Sequence, residues 1–243
     1  MDTASYRGEL IRVIDIETTG AAPPSEIIEL GWADLVLRDN VWTHGDRGSC
    51  LFRPMRGIPA ENQAIHHISE REIGADAEAC NPQAVAEILL RDKPCALAAH
   101  NARFERQFIG EESFGATPWI CTLRSAVRVW PQAPRHSNQV LRYWLGLDLD
   151  PALAMPVHRA GPDAFVTANI LVALLSQNSV EELMEYTVKP RFHPVIRFGR
   201  YRGEAWSNIP ADYLRWIVGT SADIDVKACA EGELRRRADA ELI

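Results

Sequence analysis

The run Leu10-Ile-Arg-Val-Ile-Asp-Ile-Glu17, followed by Thr18-Thr-Gly20, constrains this chain more than any other stretch. β-Branched apolar residues leading to a glycine predict a strand that is mostly buried. Side chains alternate along a strand, so Asp15 and Glu17 point to the same face. Two carboxylates at the end of a buried strand are costly unless a cation meets them. A divalent metal ion is the simplest such cation, because hard ions prefer carboxylate oxygen.

The rest of the pattern predicts α/β architecture. Ile27 to Leu37 reads as a second strand and Ser49 to Arg53 as a third, together an antiparallel meander. Pro82 to Leu90 reads as a helix, Cys95 to Ala99 as a short strand and Asn101 to Ile109 as a helix start. Ser137 to Leu145 reads as an amphipathic helix closed by Gly146. Gly161-Pro-Asp163 opens the clearest helix, which continues to Leu175. Proline fits the first helical position, and an acid suits the positive end of the helix dipole.

Two further clusters give the paired acids a context. His100-Asn-Ala-Arg-Phe-Glu105 follows an apolar strand and opens a helix. His158-Arg-Ala-Gly-Pro-Asp163-Ala places a histidine in a loop, five residues before an acid in a first helical turn. Asp15, Glu17, Glu105 and Asp163 carry four negative charges, which two divalent ions would balance. Asp15-Ile-Glu17-Thr-Thr-Gly20 and these two clusters, in that order, resemble the three motifs of the DEDDh exonucleases over roughly residues 10–176. That resemblance implies an RNase H-like mixed sheet flanked by helices, and removal of nucleotides from 3′ ends. A narrower resemblance, to the exodeoxyribonuclease X branch of that family, rests on Trp119-Ile-Cys-Thr122, Arg128-Val-Trp-Pro131, Ser137-Asn138, Phe198-Gly-Arg-Tyr-Arg-Gly203 and Tyr213-Leu-Arg-Trp216. It points to DNA.

The resemblance also assigns roles. Two Mg²⁺ ions about 4 Å apart, replaceable by Mn²⁺, would clamp the scissile phosphate. Asp15 would bridge them, with Glu17 and Asp163 on the ion nearer the attacking water and Glu105 reaching toward the other. His158 would be the general base, since an imidazole suits proton removal near neutral pH. Thr18, Ile65, His66 and Asn101 would hold the terminal nucleotide, with Ile65 and His66 in a segment, Pro59 to Ile68, that precedes the first helix. Two positions depart from the pattern. Glu105 stands where the second motif usually has Asp, and Ala21 stands where relatives often carry a larger apolar residue.

Other residues have plainer readings. His100 suits a hydrogen bond at a strand end. His66 and His67 fit a helix entry, and Trp119, Trp130, Trp144 and Trp216 fit the core. Cys50, Cys80, Cys95, Cys121 and Cys229 are odd in number and form no C-x-x-C pair, which argues against zinc or a disulfide framework. No apolar run approaches a membrane span and no signal core opens the chain, so a cytoplasmic protein without membrane contact is expected. The pattern names no protein partner.

A net charge of −7 argues at first against a nucleic-acid ligand. The charge is unevenly spread, however. Residues 113–147 hold four arginines and no acid, and Lys189 to Arg202 holds five bases and no acid, leaving −16 for the remainder. Phe192, Phe198 and Tyr201 interleave with the second stretch, a combination suited to phosphate contact and base stacking through Arg200 and Arg202. The expected organisation is an exonuclease domain at 8–178, a basic and aromatic module at 190–219 and a charged tail at 220–243. The expected function is metal-dependent 3′–5′ hydrolysis of DNA, serving repair or processing. RNA trimming by the same fold, and a catalytically weakened binding module marked by Glu105, stay open.

Overall fold

In the computed structural model, which describes residues 9–221 and 223–241, strand β1 (Leu10–Thr18) lies in the middle of a five-stranded sheet. Its partners are β2 (Ile27–Arg38), β3 (Val41–Leu51), β4 (Ala96–Ala99) and β5 (Trp119–Cys121), in the order β3-β2-β1-β4-β5. The first three strands are antiparallel, and β4 and β5 run parallel to β1. Between β3 and β4 lie α1 (Ala60–His66), α2 (Glu70–Ile73) and α3 (Pro82–Leu89), and α4 (Arg103–Phe108) joins β4 to β5. After β5 come α5 (Thr122–Val129), α6 (Asn138–Trp144), α7 (Pro151–Ala154), α8 (Ala160–Leu175) and α9 (Val180–Val188). This is the α/β fold, a mixed sheet flanked by helices, that the sequence implies.

Alternation along β1 separates two cores. Ile11 and Val13 face α8 together with Ala33, Leu35, Phe165 and Leu171. Ile14 and Ile16 face the other way, with Leu30, Val85, Leu89 and Leu97. Arg12 is wholly buried and forks onto Asp34, its partner across the ladder, at 2.8 and 2.7 Å. Its remaining nitrogen donates to the carbonyls of Ile88 and Arg91, fixing the end of α3 to the sheet. Breaking a buried pair of this kind by removing one partner typically destabilises by about 3–5 kcal/mol.

The third strand differs from expectation. It begins at Val41, eight residues earlier, after a turn in which Asp39 and Asn40 both take left-handed φ (50° and 61°). That is the conformation of a tight hairpin. As an edge strand with one partner, β3 carries His44, Gly45, Asp46, Arg47 and Gly48 on an exposed ladder, so its apolar pattern is weak. The segment around Ile65 and His66 also differs: it is itself the first helix. His66 ends that helix, and His67 follows in left-handed φ, so the pair marks an exit and not an entry.

The chain divides between Thr187 and Val188 into two compact units. The second contains α10 (Ala211–Thr220) and α11 (Ile224–Glu241), the latter covering residues read as a charged tail. Cys229 and Ala230 of α11 are buried with Ile196, Trp206, Ile209, Leu214 and Ile217, so this helix is part of the unit's core. Two tryptophans assigned to the core from sequence are not there: Trp144 and Trp216 are exposed, while Trp119 and Trp130 are buried. Among the described residues, no helix is long and apolar enough to cross a membrane.

One glycine sets the approach of α8 to the sheet. A Cβ on Gly31, the cross-strand partner of Asp15, would lie 2.1 Å from the Ala160 carbonyl carbon and 2.3 Å from the Gly161 nitrogen. The first turn of α8 therefore rests on bare backbone of β2. By contrast, a Cβ on Gly161 itself would meet Ser49 at an ordinary 3.5 Å. Gly31→Ala is expected to destabilise by about 1–3 kcal/mol, lowering Tm by roughly 2–4 °C for each kcal/mol, while Gly161→Ala stays near wild type. Thermal unfolding of the pair checks this, and equal losses would remove Gly31 as the cause.

Candidate active site

The end of β1, the first turn of α4 and the first turn of α8 bring the predicted acids together. Asp15 and Glu17 share the α8-facing side of β1. The register between β1 and β2 slips just after Glu17, which pairs with Glu29 while Thr18 pairs with Ile27. Such bulges re-aim side chains beside functional sites. Thr18 is buried there, its hydroxyl donating to the Gly20 carbonyl at 2.7 Å.

Glu17, His158 and Asp163 each present a ligand atom within 4.8 Å of the others, an arrangement able to hold a metal ion. Asp15 adjoins this group electrically. Burial first, and then the charges of Asp163, Glu105, Glu17 and Glu29, hold its pKa well above the carboxylate range. Burial also pushes Glu17 up to about 8, with Asp163 and Glu29 adding to it and Arg159 opposing. Glu105 is buried at the start of α4, and one carboxylate oxygen, Oε2, has no hydrogen-bond partner. Burial lifts its pKa to about 8. An orphaned, buried carboxylate oxygen whose charge Asp15 feels is what a divalent cation would satisfy, so these residues fit such an ion.

Asp163 is held from two sides. The His158 backbone N–H donates to Oδ2 at 2.8 Å and the Gln139 side chain to Oδ1 at 3.2 Å. Burial raises its pKa, while these bonds and the His158 ring pull the other way. His158 is exposed and takes left-handed φ (58°), uncommon for a residue with a side chain. Asn138 ties α6 to α8 through the Asp163 carbonyl (3.2 Å) and the Thr167 hydroxyl (2.6 Å).

Glu29 is the functional residue the motifs do not reveal. It is buried, accepts a forked pair from Arg159 at 2.9 and 3.1 Å, and accepts the Ala160 N–H at 3.0 Å. Arg159 also reaches Glu72 at 2.9 Å. The loop carrying His158 is thus fastened to β2 immediately beyond the histidine. The available signal was parity: Glu29 shares its strand face with Gly31, Ala33 and Leu35, where an acid has no business unless paired. Gln139 had no signal beyond its place in a helix.

The remaining predicted contacts are scattered. His66 is buried, accepts the Ile68 N–H on Nδ1 at 3.0 Å and leaves Nε2 without a partner, and its pKa is lowered chiefly by burial. Glu29 and Arg159 are among the charges it feels. Ile65 is half exposed. Asn101 is exposed, in left-handed φ (75°), at the turn into α4. His100 bridges the Thr122 hydroxyl (2.9 Å) and the His136 carbonyl (2.7 Å), and burial lowers its pKa to about 4, so it serves structure. Arg200 and Arg202 belong to the second unit.

Known proteins resemble this chain in sequence and in fold. A family model described as Exonuclease (RNase_T) matches residues 13–171. Exodeoxyribonuclease 10 of Escherichia coli (strain K12) is 29% identical over 225 residues, covering 86% of this chain and 90% of that protein. A solved structure of exonuclease X in complex with 5′-overhanging duplex DNA superposes with a TM-score of 0.59. It is 29% identical and covers 73% of this chain and 99% of that one. The nuclease domain of 3′hExo, a DEDDh family member bound to rAMP, shares the fold at a TM-score of 0.55 and 20% identity, covering 73% and 96%.

The raised carboxylates give the site a pH signature. A carboxyl whose folded pKa exceeds its unfolded value binds its proton more tightly when folded. Its stabilising contribution is therefore full below the unfolded value and is lost as pH rises through the folded one. For Glu17 and Glu105 that window runs from the ordinary value of 4.5 to about 8. Without divalent cations, Tm is expected to fall across this window, and to fall less in Glu17→Gln. Saturating Mg²⁺ or Mn²⁺ should raise Tm by roughly 5–10 °C at pH 8 and by less at pH 6. Scanning fluorimetry reads this, and a metal effect independent of pH would contradict it.

Proposed function

As this chain belongs to the exonuclease family matched over residues 13–171, we propose that it removes nucleotides from the 3′ ends of DNA by hydrolysis in the 3′→5′ direction. The observation that carries the reading is the convergence of Glu17, His158 and Asp163 within 4.8 Å, beside Asp15 and Glu105. DNA as substrate follows from the relatives, one described as an exodeoxyribonuclease and one solved with duplex DNA. A role in DNA repair or processing fits such an activity.

Asp15, Glu17, Glu105 and Asp163 would hold two divalent cations, Mg²⁺ or in its place Mn²⁺. When bound, these supply charge neutralisation at the scissile phosphate and a more acidic water. His158 takes a proton from the attacking water on an imidazole nitrogen, which its exposed loop position leaves open to substrate. The new bond joins water oxygen to phosphorus, the bond to the 3′ oxygen of the preceding nucleotide breaks, that oxygen takes a proton from solvent water to become a hydroxyl, and a mononucleotide leaves. Gln139 and the His158 amide keep the Asp163 carboxylate oriented. Ile65, half exposed, offers apolar surface to the terminal base, and His66 follows it at the end of the same helix. Thr18 and Asn101, at the strand end and at the turn into α4, border the same nucleotide.

The test is digestion of 3′- and 5′-labelled DNA with Mg²⁺ or Mn²⁺, with a matched RNA in parallel. Wild type should shorten DNA from the 3′ end. Asp15→Asn should reduce turnover by at least about 10³-fold and His158→Ala by about 10²–10⁴-fold. Undiminished activity in both variants would sink the assignment, and faster digestion of RNA would move the substrate to RNA. If Glu105 weakens the site, Glu105→Asp should gain activity.

A further inference from the structure

The second unit uses its arginines in two distinct ways. On α11, Arg236 and Arg237 close on Glu233 at 2.7–2.9 Å, and Arg237 also donates to the carbonyls of Trp206, Ser207 and Ile209. These two hold the unit together. Arg197, Arg200, Arg202 and Arg215 are exposed and make no ion pair among the described residues. Of the acids between residues 190 and 216, Glu204 is engaged by the Asn208 amide at 3.3 Å and Asp212 opens α10.

Arg200 is also built into an aromatic ladder. Its guanidinium lies 4.6 Å from the centre of Tyr201 and 5.3 Å from that of Tyr213, and it donates to the Tyr201 hydroxyl at 2.6 Å. Tyr201 meets Tyr213 edge-on at 4.9 Å, and Tyr213 lies 5.2 Å from Trp216 at an angle of only 31°. Gly199 makes this possible: it takes left-handed φ (65°), and a Cβ there would stand 2.5 Å from the Tyr213 hydroxyl. The ladder ends in solvent, because Trp216 is 54% exposed while Trp206 of the same unit is buried.

We propose that this ladder, Arg200-Tyr201-Tyr213-Trp216 with the flanking Arg197, Arg202 and Arg215, is a binding platform for single-stranded DNA. The charge is complementary to phosphate, and the exposed indole presents a flat face on which any base can stack. Pre-stacking removes much of the side-chain freedom that a bound strand would otherwise have to arrest. DNA is chosen as the polymer on the exonuclease reading, whereas the platform itself is argued from this unit alone.

Full-length protein in EDTA, where no hydrolysis occurs, is titrated with a fluorescent 20-nucleotide oligothymidine and followed by anisotropy over a range of NaCl. Trp216→Ala should weaken binding about tenfold, and Trp216→Phe should restore most of the loss. Arg200→Gln with Arg202→Gln should reduce the slope of log Kd against log salt by about 1.4, near 0.7 for each phosphate left without its arginine. Affinity and slope unchanged in all variants would overturn the platform and turn the ladder toward a protein ligand. Wild-type digestion with Mg²⁺ reports on the exonuclease reading separately, so its failure leaves the anisotropy comparison decisive here.

Discussion

Glu29 fixes the start of α8, and the carboxylate cluster depends on that start. Its side chain holds both the Arg159 guanidinium and the Ala160 amide. Two residues along the same face, Gly31 lets helix backbone touch strand backbone. Grip and clearance together bring Asp163 to the end of β1 and turn the His158 loop back over it. A helix held only by apolar packing could slide or rotate by an ångström, and a metal or phosphate site tolerates little of that. The forked ion pair and the absent Cβ remove the freedom.

What they position is unfavourable by itself. Asp15, Glu17, Glu105 and Asp163 all have raised pKa values, and in each burial is the leading cause. The cation-free site therefore retains protons that exposed carboxylates would shed. Its energy is met elsewhere in the sheet, by the two apolar cores. Charge held in a partly dry place is the condition under which a divalent ion binds and a phosphate is polarised most strongly. Glu105 keeps its carboxylate buried, with one oxygen that no hydrogen-bond donor meets.

Much of this was legible in the sequence. That Asp15 and Glu17 share a face follows from period-two alternation, whereas the roles given to them and to Glu105, His158 and Asp163 come from the resemblance of the three ordered motifs. Residues chosen by long-range contact were not legible. Glu29 looks like one more acid in a strand until its partner, 130 positions later, is placed beside it. Gly31 looks like a weakness in the strand until a helix rests on it. The start of β3 was hidden because an edge strand needs no apolar face on its open side, although the Asp39-Asn40 turn marks it. Trp216 misled for the opposite reason, since an apolar ring is assumed buried and this one ends a ladder of partly exposed aromatics.

The same locality resolves the chain's net acidity. At physiological salt a charge is screened beyond about 8 Å, so a bound strand responds to the groups it touches and little to the total of −7. Around the carboxylates, two divalent cations would neutralise the four negative charges of Asp15, Glu17, Glu105 and Asp163. In the second unit, four exposed arginines without ion-pair partners among the described residues already present the opposite sign. On the proposed function, local charge and not the total decides where a strand binds, so net acidity is compatible with a nucleic-acid substrate.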